Sequence, residues 1–177
     1  MLTAQGIFVQ RLLTEDAVVE SIRSHMAELL DVIPEIGDMV GFEHKHPHHH
    51  LDVWEHTLEA LRVSENDTTV RLVLLLHDIG KPHACIEGDV RHFYGHAQKS
   101  ALMGEAILSR LGYDEEEIRV LCDMILRHDT ALKREDVLND PAVSKKLLEV
   151  QRCDTMAHNP EKISKRRDYL ETVKSYF

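Results

Sequence analysis

Apolar residues along this chain recur every three or four positions and nowhere alternate over the length of a strand, so the pattern predicts helices throughout. Thr14 is placed to cap a first helix whose apolar positions Val18, Ile22, Met26 and Leu29 repeat at helical spacing, ending before Pro34, Gly37 and Gly41. A polar, histidine-rich loop follows, His44 to His50. Asp52 and Glu55 make a capping-box-like start for a helix whose inward face carries Val53, Thr57, Ala60 and Leu61, with His56 on its border. After a turn at residues 64–68, Val70 to Ile79 is almost continuously apolar. That run suits a buried strand or a buried helix, and its helical neighbours and the Gly80-Lys81-Pro82 stop favour the helix.

Residues 81–94 read as a loop turning at Gly88-Asp89. Met103, Ala106, Ile107 and Leu111 then mark a helix closed by Gly112, with His96 in its first turn. Asp114 and Glu117 open the next, with Ile118, Leu121, Cys122 and Ile125 as its stripe and His128 continuing it at the end. Asp140-Pro141 supplies a cap and a first-turn proline for a helix bearing Val143, Leu147 and Val150, and Asp154 lies on the same face. Asn159-Pro160 starts a last amphipathic helix through Ile163, Leu170 and Val173, flanked by the basic run Lys165-Arg166-Arg167. No repeat or low-complexity linker interrupts the chain, so the expectation is one all-α domain.

At 177 residues the chain is long enough to bury a core without disulfide staples. Its 21 basic residues against 31 acidic ones give a net charge of −10. General attraction to nucleic acid or anionic lipid is therefore not expected, no stable nucleic-acid complex is predicted, and any phosphate chemistry must use a local site. Cys85, Cys122 and Cys153 are widely spaced and form no C-x-x-C pair, which fits a reduced, cytoplasmic protein better than a disulfide framework or a thiolate zinc site. No window reaches the ~18 apolar residues of a membrane span, and the first residues lack the pattern of a signal peptide, so a soluble, unprocessed chain is expected.

Thirteen histidines are too many for ordinary composition and direct attention to one place. His56, His77, Asp78, His96, His128 and Asp154 fall at or near helix ends on the inward side. Burying so many polar groups without partners costs roughly 1–3 kcal/mol each. A bound metal resolves that cost, and imidazole with carboxylate donors suits Mn, Fe, Co, Ni or Zn.

The stretch Leu74-Leu75-Leu76-His77-Asp78-Ile79-Gly80-Lys81 resembles the signature of the HD superfamily of metal-dependent phosphohydrolases, HDIG type. The order His, His-Asp, His, His, Asp agrees with it. The resemblance implies a single HD-type helical bundle spanning residues 1–177, with a motif-bearing core of about 44–160 and helical extensions at both ends. It implies that His56, His77, Asp78 and Asp154 hold one divalent ion. It further implies that His96 and His128 add a second ion bridged by Asp78, or else stand beside a single ion as substrate contacts. Residues 47–56 and 154–160 are similar to the HD domains attached to bacterial CCA-adding enzymes. No nucleotidyltransferase domain is recognised beside them, so the chain is not expected to build tRNA ends. His96 is not followed by the Gly-Tyr-Pro of cyclic-di-GMP hydrolases, and Lys81-Pro82 replaces the Glu-Asp of guanosine tetraphosphate hydrolases, which sets those two substrates aside.

The expected activity is hydrolysis of a phosphomonoester or cyclic phosphodiester of a small nucleotide-like molecule. Asp78 would be ligand and, in part, proton acceptor, and Lys81 would hold a phosphate oxygen. The plainer reading of Lys81 is a charge complementing a helix C-terminus. His49, Arg91 and His92 are the candidate substrate contacts, with Tyr94 beside them. The other histidines of the 44–50 loop are expected to be solvent-exposed chelators, and Lys165-Arg166-Arg167 a solvated face unless the last helix nears the pocket. Two other classes stay open: a di-iron oxygenase built on the same six ligands, and a non-catalytic module whose metal orders a binding surface.

Overall fold

The computed structural model describes all 177 residues. The helices are α1 (Ala4–Thr14), α2 (Val18–Ser24), α3 (Met26–Val32), α4 (Val53–Arg62), α5 (Thr68–Leu76), α6 (His96–Leu111), α7 (Glu115–Leu126), α8 (Arg134–Asn139), α9 (Pro141–Ala157) and α10 (Ser164–Lys174). Short 3-10 turns occupy Pro34–Met39, Pro82–Ala84 and Pro160–Lys162. The only extended pairings are single bridges, Glu43 with Asp52 and Ile86 with His92. The fold is all-α, as the hydrophobic periodicity requires.

α5 is the axis of the molecule. Every residue from Val70 to Leu76 is buried, and the helix packs against α1, α4, α6, α7 and α9. An apolar run of this length suits a helix surrounded on all sides. Asp67 caps it by accepting from the Val70 amide. Its one charged residue, Arg71, is buried and donates to the carbonyls of Leu13 and Glu15, satisfying the end of α1.

The periodicity misplaced some boundaries. Thr14 ends α1 instead of capping the next helix; the N-cap of α1 is Thr3, which accepts from the Gly6 amide and donates to the Leu111 carbonyl. The single helix expected over residues 18–33 is broken at His25, whose φ of −117° and ψ of 25° leave the helical region and divide α2 from α3. α8, over Arg134–Asn139, falls in a stretch for which the apolar spacing predicts no element. The last helix begins at Ser164, after a 3-10 turn capped by Asn159. Elsewhere the local signals hold: Asp52 accepts from the Glu55 amide, Asp114 and Glu117 form a reciprocal capping box, and Asp140 accepts from the Val143 amide.

Gly80 differs from the helix stop it was read as. It does not take the left-handed conformation; a Cβ there would lie 2.5 Å from the Ser100 amide nitrogen and 2.9 Å from the His96 carbonyl oxygen. Its own amide donates to the buried Ser100 hydroxyl at 2.9 Å. The missing side chain lets the first turn of α6 close onto the turn that follows α5, which brings His96 beside Asp78.

Candidate metal centre

The six residues expected as ligands come together from five helices. His56 stands in the first turn of α4, His77 and Asp78 in the turn leaving α5, His96 at the first residue of α6, His128 two residues after α7, and Asp154 in the last turn of α9. His56, His77 and Asp78 are fully buried, and His128 and Asp154 nearly so.

Each imidazole is oriented by the backbone. Nδ1 of His56 bonds the Ala157 carbonyl at 3.2 Å, that of His77 the Leu74 carbonyl at 2.6 Å, that of His96 the Phe93 carbonyl at 2.9 Å, and that of His128 the Ile125 carbonyl at 2.7 Å. A carbonyl oxygen only accepts, so Nδ1 carries the proton and donates in all four. The Nε2 atoms therefore face inward.

They face the two oxygens of Asp78. Oδ2 lies 3.6 Å from His56 Nε2 and 3.3 Å from His77 Nε2, and Oδ1 lies 3.6 Å from His96 Nε2 and 3.7 Å from His128 Nε2. Asp154 Oδ1 joins the first pair, 2.9 Å from His56 and 3.7 Å from His77. Both Asp78 oxygens and His77 Nε2 are buried without a hydrogen bond of acceptable geometry. His96 and His128 point Nε2 at one another across 3.2 Å. With both Nδ1 protons committed elsewhere, two lone pairs oppose each other there.

The buried donors fit a divalent cation in either half: His56, His77 and Asp78 converge in one, with Asp154 beside them in an overlapping group with His56 and His158, and Asp78, His96 and His128 converge in the other. The electrostatics agree. Burial alone would lower His77, but the Asp78 and Asp154 carboxylates outweigh it and raise this imidazole to about 10. Burial would raise both carboxyls, yet His77 and Lys81 hold Asp78, and His158 and His56 hold Asp154, well below the usual carboxylate range. The centre attracts positive charge. Burial and the neighbouring His77 lower His128 to about 4, so it is a neutral donor near pH 7.

Around this floor lies a cavity of about 320 Å³. It is lined by the expected contacts Lys81, His49, Arg91 and His92, together with His46, Tyr94, His158 and Arg166. In a chain of net charge −10, the cations Lys81, Arg91 and Arg166 gather at this one opening. Arg91 is partly committed: it pairs with Glu87 at 2.7 Å, donates to the Glu43 carbonyl and stacks over Phe42. Lys81 is engaged by the floor itself. Its Nζ sits 2.6 Å from Asp78 Oδ2 and 3.1 Å from His44 Nε2, with the Phe93 ring 5.8 Å away.

Three residues of the site escaped the sequence reading. His44, expected on the surface with its loop, is 2% exposed; its Nδ1 donates to the Leu51 carbonyl, so Nε2 is left to accept from Lys81. Burial and the Lys81 charge lower it to about 2, which keeps it a neutral acceptor. His158, to which the sequence pattern assigns no chemistry, lies 3.6 Å from Asp154 Oδ1, and its i+4 spacing from Asp154 was the available signal. Arg166, expected on a solvated face unless the last helix neared the pocket, does line the cavity and reaches Asp154 Oδ2 at 3.2 Å. Beyond it the cleft continues into a second cavity of about 250 Å³, lined in part by Thr130, Lys165 and Tyr169.

No helix is long and apolar enough to cross a membrane. Among known proteins, the A-adding tRNA nucleotidyltransferase of Deinococcus radiodurans is 32% identical over 117 residues, covering 61% of this chain and 27% of that protein. The CC-adding tRNA nucleotidyltransferase of Thermus thermophilus is 33% identical over 111 residues, 58% of this chain and 25% of the relative. A multifunctional CCA protein of Legionella pneumophila is 31% identical over 84 residues, 45% of this chain and 20% of its own length. The chain thus spans about a quarter of the length of the relatives it matches most extensively. The family model described as HD domain matches residues 22–172, which takes in all six converging residues. The chain belongs to the HD domain family, and with it to a superfamily of metal-dependent hydrolases.

Proposed function

We propose that this protein is a metal-dependent phosphohydrolase acting on a phosphomonoester or cyclic phosphodiester of a small nucleotide-like molecule. The observation that carries the reading is Asp78: a fully buried carboxylate, each oxygen facing two inward imidazole nitrogens, with only the Lys81 ammonium, 2.6 Å from Oδ2, to balance its charge. His56, His77, Asp78 and Asp154 would hold one ion, and Asp78, His96 and His128 a second. Mn, Fe, Co, Ni and Zn all suit this nitrogen and oxygen set. A divalent ion bound here supplies Lewis acidity, lowering the pKa of water toward ~7 and drawing charge from a phosphate oxygen.

The chain's own residues do the rest. Lys81, held between Asp78 and His44, keeps its ammonium at the cavity wall, where it meets a phosphate oxygen as a point charge. Asp78, kept as a carboxylate, would accept a hydrogen bond from the attacking water. His49, His92 and Arg91 at the rim contact the remainder of the ester, and Arg166, poised on Asp154, has the reach to meet a second anionic group. The proposed reaction is hydrolysis, not the nucleotide addition for which the relatives are named. The net negative charge of −10 and the local cationic opening favour a small substrate over a stable nucleic-acid complex, and three unpaired cysteines suit the cytoplasm.

The test is elemental analysis of the purified protein followed by a metal-by-substrate screen with small aryl phosphates, nucleoside monophosphates and 2′,3′-cyclic nucleotides. Metal-dependent ester cleavage, lost in Asp78→Ala, is expected. Metal-loaded protein that releases neither phosphate nor alcohol from any of them refutes the proposal. The bridging placement of Asp78 also fits two irons, and oxygen uptake by iron-loaded protein without ester cleavage would favour the oxygenase reading instead.

A further inference from the structure

Beside the metal centre, residues 91–93 arrive beside the Ile86–His92 bridge and turn at Tyr94 and Gly95 into α6. Phe93 turns inward against Phe42 and His44, with ring centroids at 6.4 and 5.8 Å. His92 and Tyr94 both face outward and stack on one another, 5.3 Å between centroids and 8° from parallel. The segment is pinned: His92 exchanges backbone hydrogen bonds with Ile86 at 2.8 and 3.2 Å, and the Arg91 amide donates to the Lys45 carbonyl. Gly95, at φ +75°, then turns the chain into α6, so that Tyr94 stands two residues from His96 on the wall of the same cavity. One face of the Tyr94 ring is covered by His92, yet the residue is 73% exposed. His46 stands edge-on to His92, 6.2 Å away, adding a polar nitrogen beside the platform.

We propose that the stacked His92–Tyr94 pair is a nucleobase platform, so that the cavity takes nucleotides with the phosphate at the His/Asp floor and the base on the Tyr94 ring. This rests on reading the floor as a phosphate-ester site, and it names which part of the ligand the rim selects. A fixed pair of parallel rings presents a flat π-surface that matches a base and costs little ordering on binding. Base–aromatic stacking is tolerant of base identity, so the platform selects for a base without selecting which one. The pinned backbone makes the platform part of the resting structure.

The experiment compares adenosine 5′-monophosphate with ribose 5-phosphate, which carries the same phosphate and sugar and no base. Binding is followed by proton NMR of the tyrosine ring resonances, with Tyr94 assigned from Tyr94→Phe, so the readout does not depend on turnover. The wild-type protein is expected to bind the nucleotide about tenfold more tightly, with upfield shifts of the Tyr94 ring. Tyr94→Ala should reduce the preference to twofold or less, and Tyr94→Phe should retain it. Equal affinity for the two ligands, a preference that survives Tyr94→Ala, or no binding of either at millimolar concentration overturns the platform. Cleavage of aryl phosphates without base preference sinks the platform and leaves the hydrolase standing; base-selective binding without ester cleavage supports the platform and sinks the hydrolase.

Discussion

Replacing Gly80 with alanine tests how the two halves of the centre are held together. The new Cβ would lie 2.5 Å from the Ser100 nitrogen, 2.8 Å from the Lys99 carbonyl carbon and 2.9 Å from the His96 carbonyl oxygen. All three are backbone atoms of one helix, so no side chain can rotate away. Carbon contacts settle near 3.5 Å, so α6 must retreat by roughly 1 Å or the turn after α5 must move by as much. Overpacking of this kind costs about 1–3 kcal/mol. In a protein of this size ~2 kcal/mol appears as a fall in Tm of about 4–8 °C. The displaced segment includes His96, so the half of the centre formed by Asp78, His96 and His128 should lose its ion, while the half containing His56, His77 and Asp154 keeps one. Thermal denaturation read beside metal content by plasma mass spectrometry gives both numbers on one preparation. Gly104→Ala on the same helix is the control, since its Cβ meets only the end of the Ile125 side chain, at 3.0 Å. A Gly80→Ala protein that melts within a degree of wild type and binds two ions would refute the argument.

Asp78→Ala should disturb metal binding in both halves, whereas His128→Ala should lower a two-ion content to about one; equal losses in the two variants would contradict the bridging role of Asp78. Lys81→Ala should slow ester cleavage about a hundredfold, equivalent to ~2.7 kcal/mol of lost transition-state contact. It should keep its metal, since removing a cation beside Asp78 does not weaken a cation site, and steady-state rates with metal analysis check both. Asp114→Ala removes one side of the α7 capping box and should cost ~1 kcal/mol, lowering Tm by about 2–4 °C at undiminished metal content. Glu149 is half-buried; burial would raise its carboxyl, but the Arg152 fork, at 2.6 and 2.7 Å, outweighs it and holds it below its usual value. Its stabilising contribution is therefore complete above the unfolded pKa of ~4.3 and lost as pH falls through the folded value. Glu149→Gln should be less stable at pH 7 and lose less on acidification, measured by denaturant titration at pH 3 to 7.

The residues that cap helices were legible because capping is local. Asp52, Asp114 and Asp140 each accept an amide three residues away, and only neighbours decide that. The apolar run from Val70 to Ile79 announced a buried segment, and its helical neighbours settled which kind. The order His56, His77-Asp78, His96, His128, Asp154 announced the centre, since no packed core keeps so many polar groups on inward faces without a shared partner. What the sequence left undecided was everything set by distance across the fold. His25 breaks the helix expected over residues 18–33, where the apolar spacing continues on both sides. Gly80 looked like a helix stop, and only the arrival of α6 shows that it is a contact point. His44 looked like one more surface histidine, until folding buried it against Lys81, 37 positions along the chain. Arg166 belonged to a basic run on a helix face, and the docking of α10 against α9 turned that one side chain toward Asp154. Sequence by itself determined the helices and the six candidate ligands with the faces they occupy, because periodicity and capping act within one helix. Tertiary structure alone decided which Nε2 meets which carboxylate oxygen and what lines the opening, because those distances depend on how separate helices pack.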